Sequence, residues 1–171
     1  MEISLEYLAP EHWPRPVGWT VVGLVDGVAL AFDTERRPHA LADEGPVELD
    51  PPAVYEALLP ALDEAGLKLW PGGWANALPS AFGLNTRSTS RDRILRSGLA
   101  PNVLRVIAQA CSEPDAEGIG RLLLALAHYA DRHSDAPAGD VRSLDDAQSA
   151  AENALDLLRS VRKGKTFKRE D

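Results

Sequence analysis

The chain predicts an α+β fold: a small N-terminal antiparallel sheet with a β-hairpin, packed on a C-terminal bundle of about four helices. Near the N-terminus Ile3, Leu5 and Tyr7 alternate with Glu2, Ser4 and Glu6, the period of a half-buried strand. Two apolar runs, Trp19 to Val25 and Val28 to Phe32, flank Asp26-Gly27. That dipeptide suits a type I′ hairpin turn, where both central residues need φ > 0. From Ser88 onward the apolar residues recur at helical spacing.

Taken in order, Glu11 to Pro16, with its two prolines, separates the first strand from the hairpin. A two-residue loop pairs Val25 with Val28, Gly23 with Leu30, Val21 with Phe32 and Trp19 with Thr34. That face holds the bulky pairs and is expected to meet the core. The opposite face, with Thr20, Val22, Leu24, Ala29 and Ala31, is too apolar to be fully wet and is expected to be partly covered. Val47 to Leu49 is expected to add a short strand. Asp50-Pro51-Pro52 starts a helix, with Asp as N-cap and Pro at the first helical position. Val54, Tyr55, Leu58, Leu59 and Leu62 form its apolar face and Gly66 its end, while Pro60 predicts a kink or an early stop. Leu67 to Trp70 is read as a last strand, Pro71-Gly72-Gly73 as a turn and Trp74 to Leu84 as irregular.

Thr89 or Ser90 caps a short helix through Ile94 and Leu95 that Gly98 stops. Pro101 opens the next helix, with Val103, Leu104, Ile107 and Cys111 on one face. Ser112-Glu113-Pro114-Asp115 breaks and restarts the chain, and residues 115–133 form a central helix with Ile119, Leu122, Leu123, Leu126, Tyr129 and Ala130 as its stripe. Ser134 to Gly139 reads as a loop. Ser143 with Asp146 starts the last long helix, with Ala147, Ala151, Ala154, Leu155, Leu158 and Val161 expected inward. Arg159, Arg162 and Lys163 lie at its C-terminal end, where the dipole favours cations. The expected organisation is a β-rich part with one helix over residues 1–84, a helical part over 85–164 and a charged tail over 165–171, in one compact domain.

Composition narrows the function classes. A hydrophobic fraction of 44% with 26% charged residues excludes a wholly disordered chain. No apolar run reaches the roughly 18–20 residues of a membrane helix. Met1 to Pro10 carries two Glu and no basic residue, unlike a signal-peptide n-region, and the single cysteine cannot form an intramolecular disulfide. A cytoplasmic location is therefore expected. The net charge is −8, unevenly spread: residues 1–66 hold 13 acids and 3 bases, whereas residues 67–113 hold 6 bases and 2 acids. This balance disfavours general duplex binding and suits protein partners.

The sharpest local feature is Asn85 to Arg96, where Arg87, Arg91, Arg93 and Arg96 gather at the mouth of a helix. Guanidinium forks, hydroxyls and free N–H groups there suit a carboxylate or phosphate. Three readings stand: salt bridges to the chain's own acids, contact with a protein partner, or contact with nucleic acid or another phosphate through this segment only. Trp70 and Trp74 bracket a tight turn and serve either the core or a recognition platform. Cys111, on an apolar face near a helix C-terminus, lacks the setting that activates a thiol. His12, His39, His128 and His133 show no metal-ligand spacing, so no metal is expected. Gly118-Ile119-Gly120 is too short for a dinucleotide loop, and no cofactor is expected.

Arg121 and His128 are seven apart on one helix, followed by Arg132, His133 and Asp135 and then a helix rich in Ala and Leu. This layout resembles HEPN-type ribonucleases, in which an Arg and a His separated by four to six residues face a dimer cleft and act on RNA. The resemblance covers the C-terminal third of the chain and implies Arg121 and His128 as the catalytic pair. Leu122 stands where that family has a polar residue, and an alternative alignment on Arg132 puts Pro137 in place of the histidine. The leading expectation is a non-enzymatic protein-interaction module using an acidic surface and the Arg-rich segment. An immunity or inhibitor protein, a phage or mobile-element accessory, or a subunit of a larger assembly would fit. The alternative is a HEPN-like ribonuclease or its inactive relative. Homo-oligomerisation is left open.

Overall fold

The computed structural model describes residues 1–9, 11–13, 15–133 and 142–162. The expected loop over Ser134–Gly139 and the tail over 165–171 lie outside these residues. The fold is α+β. Among the described residues, five strands, β1 (Ile3–Ser4), β2 (Thr20–Val25), β3 (Val28–Phe32), β4 (Pro38–Ala42) and β5 (Gly45–Glu48), form one antiparallel sheet in chain order. Six helices follow among them: α1 (Pro51–Leu69), α2 (Trp74–Phe82), α3 (Arg91–Ser97), α4 (Pro101–Cys111), α5 (Ala116–His133) and α6 (Arg142–Arg162). The chain divides into two compact units, residues 1–124 and 125–171.

Asp26-Gly27 does turn β2 into β3, with Val25 opposite Val28 and Gly23 opposite Leu30. Beyond Gly23 the expected register fails. A bulge between Val21 and Gly23 sets Val21 against Ala31 and Thr20 against Phe32. The extra residue sends Val22 into the main core with Val25, Leu30 and Phe32. Val21 turns to the other face with Ala29, Ala31 and Leu41. Trp19, expected toward the core, instead packs with Leu8 and Trp13 over that second face, which supplies the cover the apolar pattern called for. Gly23 makes the bulge possible. Its φ is +151°, and a Cβ there would lie 2.0 Å from the Ser4 carbonyl oxygen of β1.

Strand β4 went unforeseen, and the expected strand at Val47–Leu49 is β5, begun two residues earlier. The buried Asp33 carboxylate shapes the turn between β3 and β4. It accepts the backbone N–H groups of Glu35 and Arg37, both at 2.8 Å, and the Arg37 Nε–H at 2.9 Å.

Helix α1 is capped as expected: the Asp50 side chain accepts the Ala53 N–H at 3.2 Å. The expected stop at Pro60 or Gly66 and the strand at Leu67–Trp70 are both overturned, because α1 runs unbroken to Leu69. Pro60 faces solvent, where water can serve the carbonyl it leaves without a donor. Gly66 is a contact point: a Cβ would meet the Trp74 ring at 2.5 Å. Residues 74–82, expected to be irregular, are α2, closed by Gly83 at φ 61°.

The sheet's helix-facing side packs with α1 and α4 in one core that includes Leu58, Leu62, Leu69, Leu78, Ile94, Leu104 and Ile107. Ile119, Leu123 and Leu124 of α5 lean on this core, but Leu122 is exposed. Within the second unit Ala130, Ser143 and Ala147 are buried. Leu126 and Tyr129, read as part of a buried stripe, are exposed, as are Ala154, Leu155, Leu158 and Val161, which were expected inward. No helix among the described residues is long and apolar enough to cross a membrane.

Candidate functional site

The four arginines of the Arg-rich segment do not act as one group. Arg91, at the start of α3, grips the Asp63 carboxylate of α1 with both terminal nitrogens, at 2.7 and 2.6 Å. Asp63 also accepts the Trp74 indole N–H at 3.0 Å, so one carboxylate ties α1, α2 and α3 together. The hydrogen bond from Arg91 holds Asp63 below the usual carboxylate range, against the opposing effect of burial. Arg91 therefore fits the internal salt-bridge reading. Arg87, Arg93 and Arg96 are exposed, and none of their guanidinium groups makes an ion pair or hydrogen bond among the described residues.

Ile94 fixes the orientation of α3. It is fully buried, whereas Leu95 beside it is 41% exposed. With Ile94 inward, Arg93 and Ser97 line a cleft of about 230 Å³ at the junction of the β3 end, α1, α3 and the start of α4. Phe32, Tyr55, Leu84 and Leu99 supply its apolar surface. Arg36, which the sequence reading passed over, lines the same cleft from the β3–β4 turn.

Arg36 has φ 66°, a left-handed conformation rarely adopted by a side-chain-bearing residue. Its N–H donates to the Asp33 carbonyl at 3.0 Å, inside the turn that the Asp33 carboxylate braces. Burial works against ionisation of Asp33. The hydrogen bonds from Arg37 and Glu35 and the Arg37 charge outweigh it and hold Asp33 below its ordinary range. Near neutral pH the turn thus keeps an anion at its base, and it carries a guanidinium at the cleft. Helix α4 opens beside them at Ala100-Pro101 with no side-chain cap and no acid in its first turn, so its dipole adds a positive field.

Two further clefts adjoin the second sheet face. One, of about 230 Å³, brings Arg15 and Arg105 together with Glu6, a mixed charge set. The other, of about 470 Å³, lies among His12, Trp13, Arg15 and Asp43.

The remaining sequence candidates fall outside these clefts. Arg121 pairs with Glu117 one turn away on the exposed side of α5. His128 is exposed. Cys111 is half-buried, its Sγ–H within reach of the Leu5 carbonyl at 3.3 Å and the Ala108 carbonyl at 3.4 Å. Burial pushes its thiol up, away from the reactive thiolate, and the Lys68 charge offsets only part of this. Trp70 and Trp74 are core residues rather than a platform, 4% and 5% exposed, with the Trp70 indole N–H donating to the Gly120 carbonyl at 2.9 Å. His39 is buried against Trp19, ring centroids 4.4 Å apart. Among the described residues no three His, Cys, Asp or Glu side chains are placed to hold a metal.

Compared with known protein families, curated proteins and solved structures, the chain matches none of them. The reading of its function therefore rests on the α+β scaffold and the arginine edge it presents.

Proposed function

We propose that this chain is a non-enzymatic interaction protein of the cytoplasm that docks an acidic segment of a protein partner against the arginine edge of α3. The observation that carries the reading is the division among the arginines. Arg91 is tied to α1, while the guanidinium groups of Arg87, Arg93 and Arg96 stand exposed with no partner among the described residues. Arginine in that state is the side chain best suited to bidentate capture of carboxylates across an interface. The acidic N-terminal region would repel a polyanion as large as duplex DNA, which favours a protein partner over nucleic acid. An immunity or inhibitor protein, a phage or mobile-element accessory and a subunit of a larger assembly all fit this description. The ribonuclease alternative has less support, since Arg121 is engaged by Glu117.

The test is quantitative affinity capture from the source cell with the wild type and the double variant Arg87→Glu/Arg96→Glu. The reading expects the double variant to lose its specific partner while keeping the wild-type melting temperature. Equal capture by both proteins would overturn it. A parallel incubation with labelled single-stranded RNA addresses the alternative. Cleavage by the wild type that both Arg121→Ala and His128→Ala abolish would replace the binding reading with the ribonuclease.

A further inference from the structure

We propose that the cleft between Arg36 and Arg93 is the anchor point of that docking edge, a receptor for one carboxylate side chain of an acidic peptide segment. The inference rests on the reading of α3 as a docking edge and deepens it by naming the group that enters and the residues that hold it.

Size comes first. Ligand pockets commonly run about 300–1,000 Å³. At about 230 Å³ this cleft is below that range, too small for a nucleotide or a drug-sized cofactor and large enough for one side chain. Charge comes second. Among the described residues the lining holds two guanidinium groups and no carboxylate, and the uncapped start of α4 adds to the positive field. Arg36 and Arg93 come from different elements, the β3–β4 turn and α3, so an acid between them closes the fork from two sides.

The remaining lining tells carboxylate from phosphate. Phe32, Tyr55, Leu84 and Leu99 offer apolar surface on which the short aliphatic stem of a Glu or Asp can pack. A free phosphate has no stem and gains nothing from that surface. Backbone strain supplies the third argument. Arg36 is held at φ 66° by a turn bonded at every available oxygen of Asp33, and such strain persists where the surrounding structure enforces it. Gly98, also in the lining and at φ 64°, lets the Tyr55 ring lie against the backbone, where a Cβ would come within 2.6 Å of that ring. The Arg36 backbone and the Tyr55 ring are therefore set before any ligand arrives, which leaves chiefly the arginine side chains to be ordered on binding.

The experiment is an amide-shift titration of the full chain with three probes: the capped tripeptide Ala-Glu-Ala, its Ala-Gln-Ala counterpart, and inorganic phosphate. The expected result is saturable shifts at Gly98 to Ala100 and at Asn102 and Val103 with the Glu peptide, in the millimolar range, and none with the Gln peptide. Arg93→Gln and Arg36→Gln should each weaken the Glu response about tenfold while leaving the remaining spectrum unchanged. No saturable shift, an equal response to the Gln peptide, or undiminished binding by both variants would overturn the proposal. Tighter binding of phosphate than of the Glu peptide would overturn the choice of carboxylate. The capture experiment separates the two levels. Loss of partner in Arg87→Glu/Arg96→Glu with full capture by Arg36→Gln and Arg93→Gln would leave the docking edge standing and remove the anchor.

Discussion

Replacing Ile94 by Ala tests the orientation of α3, on which both Arg91 and Arg93 depend. Ile94 is 0% exposed and lies in the main core. Truncation removes three carbons, about 2.4 kcal/mol at ~0.8 kcal/mol per buried methylene. The cavity left behind raises the expected cost to about 2–5 kcal/mol. Leu95, 41% exposed, is the internal control, and Leu95→Ala should stay within about 0.5 kcal/mol of wild type. The assay is urea denaturation followed by tryptophan emission. All four tryptophans, Trp13, Trp19, Trp70 and Trp74, lie in residues 1–124, so the signal reports on the unit that carries α3. At about 2–4 °C per kcal/mol for a chain of this size, thermal melting should fall by roughly 4–20 °C for Ile94→Ala. An Ile94→Ala protein within about 0.5 kcal/mol of wild type, or a Leu95→Ala protein that loses as much, would refute the helix setting. Arg93 would then no longer belong to the cleft.

Gly23→Ala should destabilise the first unit by at least about 1–3 kcal/mol, since it combines an unfavourable φ with a backbone clash, whereas Val28→Ala beyond the turn should be milder; chemical denaturation measures both. Asp33 has a lowered pKa, so its contribution is fully present above its unfolded value of about 4 and fades as pH falls through the lower folded value. Asp33→Asn should therefore be less stable than wild type at neutral pH, with the gap closing in acid, as a pH series of melting curves would show. Leu123→Ala, which removes a side chain packed on the core, should cost more than Leu126→Ala at an exposed position; equal losses would show that α5 is turned differently.

Legibility from sequence followed how local each cause is. The Asp26-Gly27 turn, the Asp50 cap and the Pro101 start are each dictated by a few adjacent residues, and each stands in the structure. The bulge at Val22 depends on Gly23 meeting a strand some twenty residues earlier, and local alternation carries no trace of that. Gly66 looked like a helix end because its true role, receiving the Trp74 ring, is a tertiary contact. Helix α2 had a readable signal in Trp74, Ala77, Leu78, Ala81 and Phe82, spaced as one helical face, which Pro79 and the preceding glycines obscured.

At the site, the arginine cluster was plain, but its division was not. Only the folded chain brings Asp63 to Arg91 across 28 residues. Arg36 was missed because nothing local sets it apart from Arg37. The cue was Asp33, whose spacing to Arg37 suits a braced turn.

The measurement that bears most directly on the central claim is site-specific photo-crosslinking in the source cell, with the reactive group at position 96 on the α3 edge or at position 44 on the acidic β4–β5 turn. The account expects one partner protein to be captured from position 96, through a segment rich in Asp or Glu, and that product to disappear when Arg87 and Arg93 are reversed to Glu. Capture of the partner from position 44 alone, or a product at position 96 that survives the reversal, would contradict it.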